Sequence, residues 1–145
     1  MREASASTSN DHSITILLAE DNPANVMLIR DLLSHRGYRV LVAEDGLEAI
    51  EIASKAEPQL ILMDVQMPNL DGLEATRRLK LHPRLNRIPV IILTALAMDG
   101  DRDRCLASGA DDYLSKPVKM QLLYSRIDHW INGHQGQPLP DDQPQ

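Results

Sequence analysis

The chain has 145 residues, 43% of them hydrophobic and 25% charged, enough for one globular domain with a real core. A formal net charge of −6 argues against nonspecific nucleic-acid binding, and the single Cys105 excludes an internal disulfide or a cysteine-rich metal site. The longest apolar run is far short of a membrane span and the first residues lack the apolar stretch of a secretion signal, so a cytoplasmic protein is expected, with an aliphatic core because Phe is absent.

Residues 1–13 are small and polar, and 133–145 are rich in Gly, Gln, Pro and Asp. Neither stretch buries enough apolar surface to offset its ordering entropy, which predicts flexible tails around one domain at 14–132. Ile14–Ala19 is the first predicted strand. Asn22 and Pro23 then stand as N-cap and first residue of a helix, with Val26, Ile29 and Leu33 at helical spacing and Gly37 as a left-handed stop. Tyr38–Ala43 reads as the second strand. Asp45-Gly46-Leu47-Glu48 resembles a capping box, with Asp in place of Ser or Thr, and opens a helix to about Lys55.

Leu60–Asp64 is the third strand, a continuous apolar run of the kind buried on both faces. Asp71-Gly72-Leu73-Glu74 repeats the capping pattern before a helix to about Leu81. Pro89–Thr94 is a β-branched fourth strand, Asp99 starts a short helix to Ala107, and Asp111–Ser115 is the fifth strand. A last helix from about Lys119 to Ile131 sets Met120, Leu123, Ile127 and Trp130 along one face. Strands alternating with helices in this way call for an α/β, doubly wound, mostly parallel sheet with helices on both faces. Ligands of such sheets bind outside the carboxyl ends of the strands.

Polar residues gather at those ends. Asp64 closes an otherwise apolar strand, where burial alone would raise its pKa and neutralise it, so it needs a cationic partner. Glu20 and Asp21 follow the first strand, Thr94 ends the fourth and Lys116 follows the fifth. Three carboxylates at one sheet edge repel one another unless a cation intervenes. Hard oxygen ligands with an open remainder suit Mg²⁺, whereas the five scattered histidines fit no zinc motif. A carboxylate beside Mg²⁺ is also a competent nucleophile toward phosphorus, with Lys116 and Thr94 available to hold phosphoryl oxygens. The Arg77-Arg78-Leu79-Lys80 run, with Arg84 and Arg87, reads as a solvated helix face and loop, Cys105 as helix packing, and His35 as a partner of the helix dipole.

The segments Ile16-Leu17-Leu18-Ala19-Glu20-Asp21-Asn22, Leu62-Met63-Asp64-Val65-Gln66-Met67-Pro68-Asn69-Leu70-Asp71-Gly72, Ile91-Ile92-Leu93-Thr94-Ala95 and Ser115-Lys116-Pro117 resemble the receiver domain of two-component response regulators over about Ile14 to Ile131. The resemblance implies a flavodoxin-like (βα)5 fold with a five-stranded parallel sheet in the order 2-1-3-4-5. It implies that Asp64 is the phosphoacceptor, charged by the phosphohistidine of a sensor histidine kinase or a histidine phosphotransfer protein. Glu20, Asp21, Asp64 and the backbone carbonyl of Gln66 would bind Mg²⁺, Thr94 and Lys116 would contact the phosphoryl group, and Lys116-Pro117 would be a cis peptide. Thr94 and Tyr113 would form the switch that reshapes the surface of the fourth helix, fifth strand and fifth helix. A downstream protein, or a second copy in a homodimer, would read that surface. Gln66 and Leu96 would tune access of the hydrolytic water, and bulky Leu96 suggests slow self-dephosphorylation.

Two other readings stand beside a single-domain regulator. One is a receiver module of a hybrid sensor kinase. The other is an Mg²⁺-dependent phosphatase with an aspartyl nucleophile, against which Gln66 speaks, because such enzymes usually carry a second Asp two residues after the first. The tails leave no room for a DNA-binding output domain, so direct transcriptional activity is not expected, and the acidic charge and short apolar runs predict no nucleic-acid partner and no membrane partner.

Overall fold

The computed structural model describes residues 14–95 and 101–132. The expected tails at 1–13 and 133–145, together with Leu96 and Asp99, lie outside the described residues. In chain order the elements are β1 (Thr15–Ala19), α1 (Pro23–His35), β2 (Arg39–Ala43), α2 (Gly46–Ala56), β3 (Leu60–Asp64), α3 (Gly72–Leu81), β4 (Val90–Thr94), α4 (Asp101–Ala107), β5 (Asp112–Ser115) and α5 (Met120–Ile131). The five strands form one parallel sheet in the order β2-β1-β3-β4-β5, the expected doubly wound topology. Four strands begin one residue later than their apolar runs suggest, at Thr15, Arg39, Val90 and Asp112.

Every residue of β3 and β4 is buried, which is why these strands read as unbroken apolar runs. The edge strands β2 and β5 are only partly buried. On one face of the sheet, Ile29 and Leu33 of α1 and Leu123 and Ile127 of α5 pack with Ile16, Leu18, Leu62 and Leu93. On the other, Ala49 and Ala53 of α2, Ala75 and Leu79 of α3 and Cys105 of α4 pack with Leu17, Ile61, Met63 and Ile92. Small alanines let α2 lie close to the sheet, so the core closes without a Phe. The α1 and α5 helices are also fastened to each other: Tyr124 Oη donates to Leu32 O at 2.6 Å, and Arg36 bonds Asp128 at 2.9 Å while its guanidinium stacks 4.5 Å from the Tyr124 ring.

The helix starts follow their caps. Asn22 Oδ1 accepts from Ala24 N and Asn25 N at 2.9 and 3.2 Å, Asp45 Oδ1 from Glu48 N at 2.8 Å, and Asp71 Oδ1 from Glu74 N at 2.9 Å. The return half of the capping box is missing in both Asp-Gly-Leu-Glu turns: Glu48 reaches the Glu44 N–H, and Glu74 turns to Arg77 and Arg78.

Two expectations are corrected. Met120, placed by its spacing on the buried face of the last helix, is 47% exposed, because the first turn of α5 lies off the core; Arg126 and His129 join Leu123 and Ile127 on the buried face instead. Lys80 is not a solvated charge. Its ammonium bonds Asp111 Oδ2 at 2.8 Å and the carbonyls of Ile88 and Asn86 at 2.9 and 3.3 Å, two carbonyls that the α3–β4 connection leaves unfilled.

Candidate functional site

Parallel register brings the carboxyl ends of the central strands level. Ala19 pairs with Ala43 and Met63, Asp64 with Leu93, and Thr94 with Ser115. The residues at and just beyond those ends, Glu20, Asp21, Asp64, Thr94 and Lys116, therefore converge on one cleft of about 380 Å³, which Asn22, Val65 and Gln66 also line. All the residues singled out from the strand ends meet there. Leu96 alone of the expected site residues lies outside the described residues.

Asp64 is 5% exposed and Glu20 is buried, while Asp21 faces solvent at the mouth. One carboxylate oxygen from each lies within 4.8 Å of the others. Lys116 enters from the far side, its Nζ 2.9 Å from Glu20 Oε1 and 3.0 Å from Asp64 Oδ1. Glu20 is oriented further by the Asn22 N–H, 3.2 Å from Oε2. The Lys116 backbone N–H donates to Thr94 O at 2.8 Å, which continues the β4–β5 ladder into the site, and the Lys116-Pro117 bond is cis.

Burial pushes the Asp64 carboxyl above its ordinary value and the Glu20 charge adds to this; Lys116 pulls the other way without cancelling it. Burial draws the Lys116 ammonium down, but its hydrogen bonds to Glu20 and Asp64 and their charges more than offset that and hold it above its ordinary value. One lysine thus leaves negative charge uncompensated. Three clustered carboxylate oxygens beside an open cleft, with no imidazole or thiolate among the lining residues, are a set that could hold a hard divalent cation such as Mg²⁺ and fits neither zinc nor a softer metal.

Tyr113 sits outside the cleft. It is half-buried on β5, paired with Ile92 and packed against the core on the α2–α3–α4 side. The neighbouring Asp112 belongs to a network that was not evident from the amino-acid pattern. It is 1% exposed, and its carboxylate accepts from Arg126 Nη1 at 2.6 Å, Trp130 Nε1 at 3.0 Å and its neighbour Tyr113 N at 2.8 Å. An acid within a strand and an Arg flush with Leu123 and Ile127 were the only signals for it.

The family profile of the response regulator receiver domain matches residues 16–128. Among curated relatives, the polar-differentiation response regulator DivK of Brucella anthropi is 40% identical over 117 residues, covering 81% of this chain and 95% of the relative. Among solved structures, the receiver domain of a Pseudomonas aeruginosa sensor histidine kinase, with a magnesium ion coordinated in its active-site cleft, is 43% identical at a TM-score of 0.78; the match covers 82% of this chain and 98% of that one. A receiver domain of a Saccharomyces cerevisiae response regulator, co-crystallised with its histidine phosphotransfer protein, is 29% identical at a TM-score of 0.78, covering 89% and 93%. None of these relatives is a phosphatase, and the phosphatase reading gains no support.

Proposed function

Because the chain belongs to the response regulator receiver domain family of two-component signalling, we propose that Asp64 is its phosphoacceptor and that a sensor histidine kinase or histidine phosphotransfer protein supplies the phosphoryl group. The observation that carries this reading is the convergence of Glu20, Asp21, Asp64, Thr94 and Lys116 on one open cleft. In the transfer, an Asp64 oxygen forms a bond to phosphorus as the P–N bond of the partner's phosphohistidine breaks and the imidazole leaves with the electron pair. Lys116, already 3.0 Å from Asp64, neutralises one phosphoryl oxygen, and the Thr94 hydroxyl donates to another. Glu20, Asp21, Asp64 and the Gln66 carbonyl would hold magnesium, which would supply charge neutralisation for a third.

Thr94 moves toward the new phosphate and Tyr113 turns inward, which alters the α4–β5–α5 surface. Leu106 and Met120 expose apolar side chains on α4 and α5, where a downstream protein or a second copy of the chain reads the change. The chain has no catalytic turnover beyond its own phosphotransfer and a slow loss of phosphate, which Leu96 retards by excluding water; a half-life not shortened by Leu96→Ala would refute that role. The exchange belongs in the cytoplasm, where kinase and phosphotransfer domains work; none of the described helices is long and apolar enough to cross a membrane. The similarity to a kinase-borne receiver favours, as a second reading, the same chemistry within a hybrid sensor kinase. Borohydride reduction of the phosphorylated chain followed by peptide mapping tests the assignment. Homoserine is expected at position 64, and a reduced residue elsewhere refutes it.

A further inference from the structure

The β3–α3 loop carries Gln66, whose carbonyl is a magnesium ligand in the reading above, and the present inference rests on that reading. The base of the loop is closed by Val65 N donating to Leu93 O at 3.1 Å and Gly72 N to Val65 O at 2.8 Å. Its crest is held less closely: Gln66, Pro68 and Asn69 are exposed, and Met67 and Leu70 between and beside them pack against the core. Among the described residues, two hydrogen bonds tie the crest to the rest of the chain, and both end at the start of α2, on its N-cap Asp45 and its first residue Gly46. Asn69 Nδ2 donates to Asp45 Oδ2 at 2.7 Å, and Gly46 N donates to Leu70 O at 3.1 Å. Asn69 holds φ of 68°, a left-handed conformation that Asn accepts more readily than most residues. The two turns are in close contact, since a Cβ on Gly46 would lie 2.3 Å from Leu70 O. One Asp45 oxygen caps α2 through Glu48 N at 2.8 Å while the other holds the loop.

We propose that Asp45 and Asn69 are positioning residues that brace the β3–α3 loop so that the Gln66 carbonyl faces the magnesium site, although neither residue lines the cleft. A loop ordered in advance gives up little freedom when its carbonyl coordinates, and an unbraced loop has to be ordered at the expense of affinity.

A donor–acceptor swap tests the brace. Asn69→Asp sets carboxylate against carboxylate and breaks the brace. Asp45→Asn keeps an oxygen for the Glu48 N–H, and the Asn69 amide turns over so that its oxygen accepts from the new NH₂, which keeps the brace. The double variant restores a reversed pair at unchanged net charge. Magnesium titration of each full chain, followed by amide NMR, is expected to show a dissociation constant roughly tenfold higher for Asn69→Asp, with Asp45→Asn and the double variant within about twofold of the native chain. With acetyl phosphate as donor, the half-saturating magnesium concentration shifts in the same way while the rate at saturating magnesium does not. A charge effect alone would instead tighten binding in Asn69→Asp and weaken it in Asp45→Asn. An Asn69→Asp variant that binds like the native chain or more tightly, or a double variant that fails to recover, overturns the brace. A native chain that binds no magnesium overturns the underlying reading together with it.

Discussion

Asp112→Ala is expected to be among the most costly single substitutions in the fold. Its carboxylate is 1% exposed and is held by Arg126, itself 7% exposed at the side chain, so the variant leaves a buried guanidinium without its carboxylate. Breaking a buried pair by removing one partner costs about 3–5 kcal/mol, a large part of the ~5–15 kcal/mol that holds a domain of this kind together. The indole of Trp130 loses its acceptor at the same time. Urea denaturation followed by circular dichroism measures the loss. Two controls fix the cause. Replacing both partners by apolar residues (Asp112→Leu with Arg126→Met) is expected to recover most of the stability, because no charge remains buried. Glu51→Ala, which breaks the exposed Lys55–Glu51 pair of 3.2 Å, is expected to cost under ~0.5 kcal/mol. A loss under ~1 kcal/mol for Asp112→Ala would refute the reasoning, since that is the range of exposed pairs.

The raised pKa of Asp64 gives a pH dependence in magnesium-free buffer with a definite sign. The folded chain keeps the Asp64 proton to higher pH than the unfolded chain does, so stability falls as pH rises from the unfolded value through the raised one. Asp64→Asn removes that fall, and a native-minus-variant stability difference that is flat across this window would contradict it. Gly72→Ala places a Cβ 2.0 Å from Asp64 O and forces the start of α3 off the strand end. It is expected to cost about 1–3 kcal/mol, and an unchanged thermal midpoint would show that the contact is relieved cheaply. For a dissociation constant of ~1 mM, magnesium at ~10 mM stabilises by about 1.4 kcal/mol and raises the midpoint by about 3–6 °C. Chelation should reverse that rise, and Asp64→Asn should abolish it.

The buried strands were legible because both faces of β3 and β4 are covered, so Leu60–Met63 and Val90–Leu93 show as unbroken apolar runs. The site was legible for a related reason: Asp64 and Thr94 end apolar strands, Lys116 follows β5 at the same end, and parallel pairing has to bring those ends together. What escaped depends on pairs set by packing between elements. Asp112 meets Arg126 and Trp130 across the β5–α5 contact, and Asn69 meets Asp45 across two turns. Lys80 was misread because its helical neighbours Arg77 and Arg78 do face solvent, and only the fold brings the Ile88 carbonyl and Asp111 to its ammonium. Periodicity along one helix carries no information about acceptors on the next element.

The central claim is that Asp64 takes the phosphoryl group in a magnesium-dependent step. Incubation of the chain with acetyl phosphate and Mg²⁺, followed by intact mass measurement of the native protein and Asp64→Asn, tests it most directly. The account predicts a gain of one phosphoryl group in the native protein, lost on chelation and absent from the variant. No gain in the native protein, or an equal gain in Asp64→Asn, would contradict it.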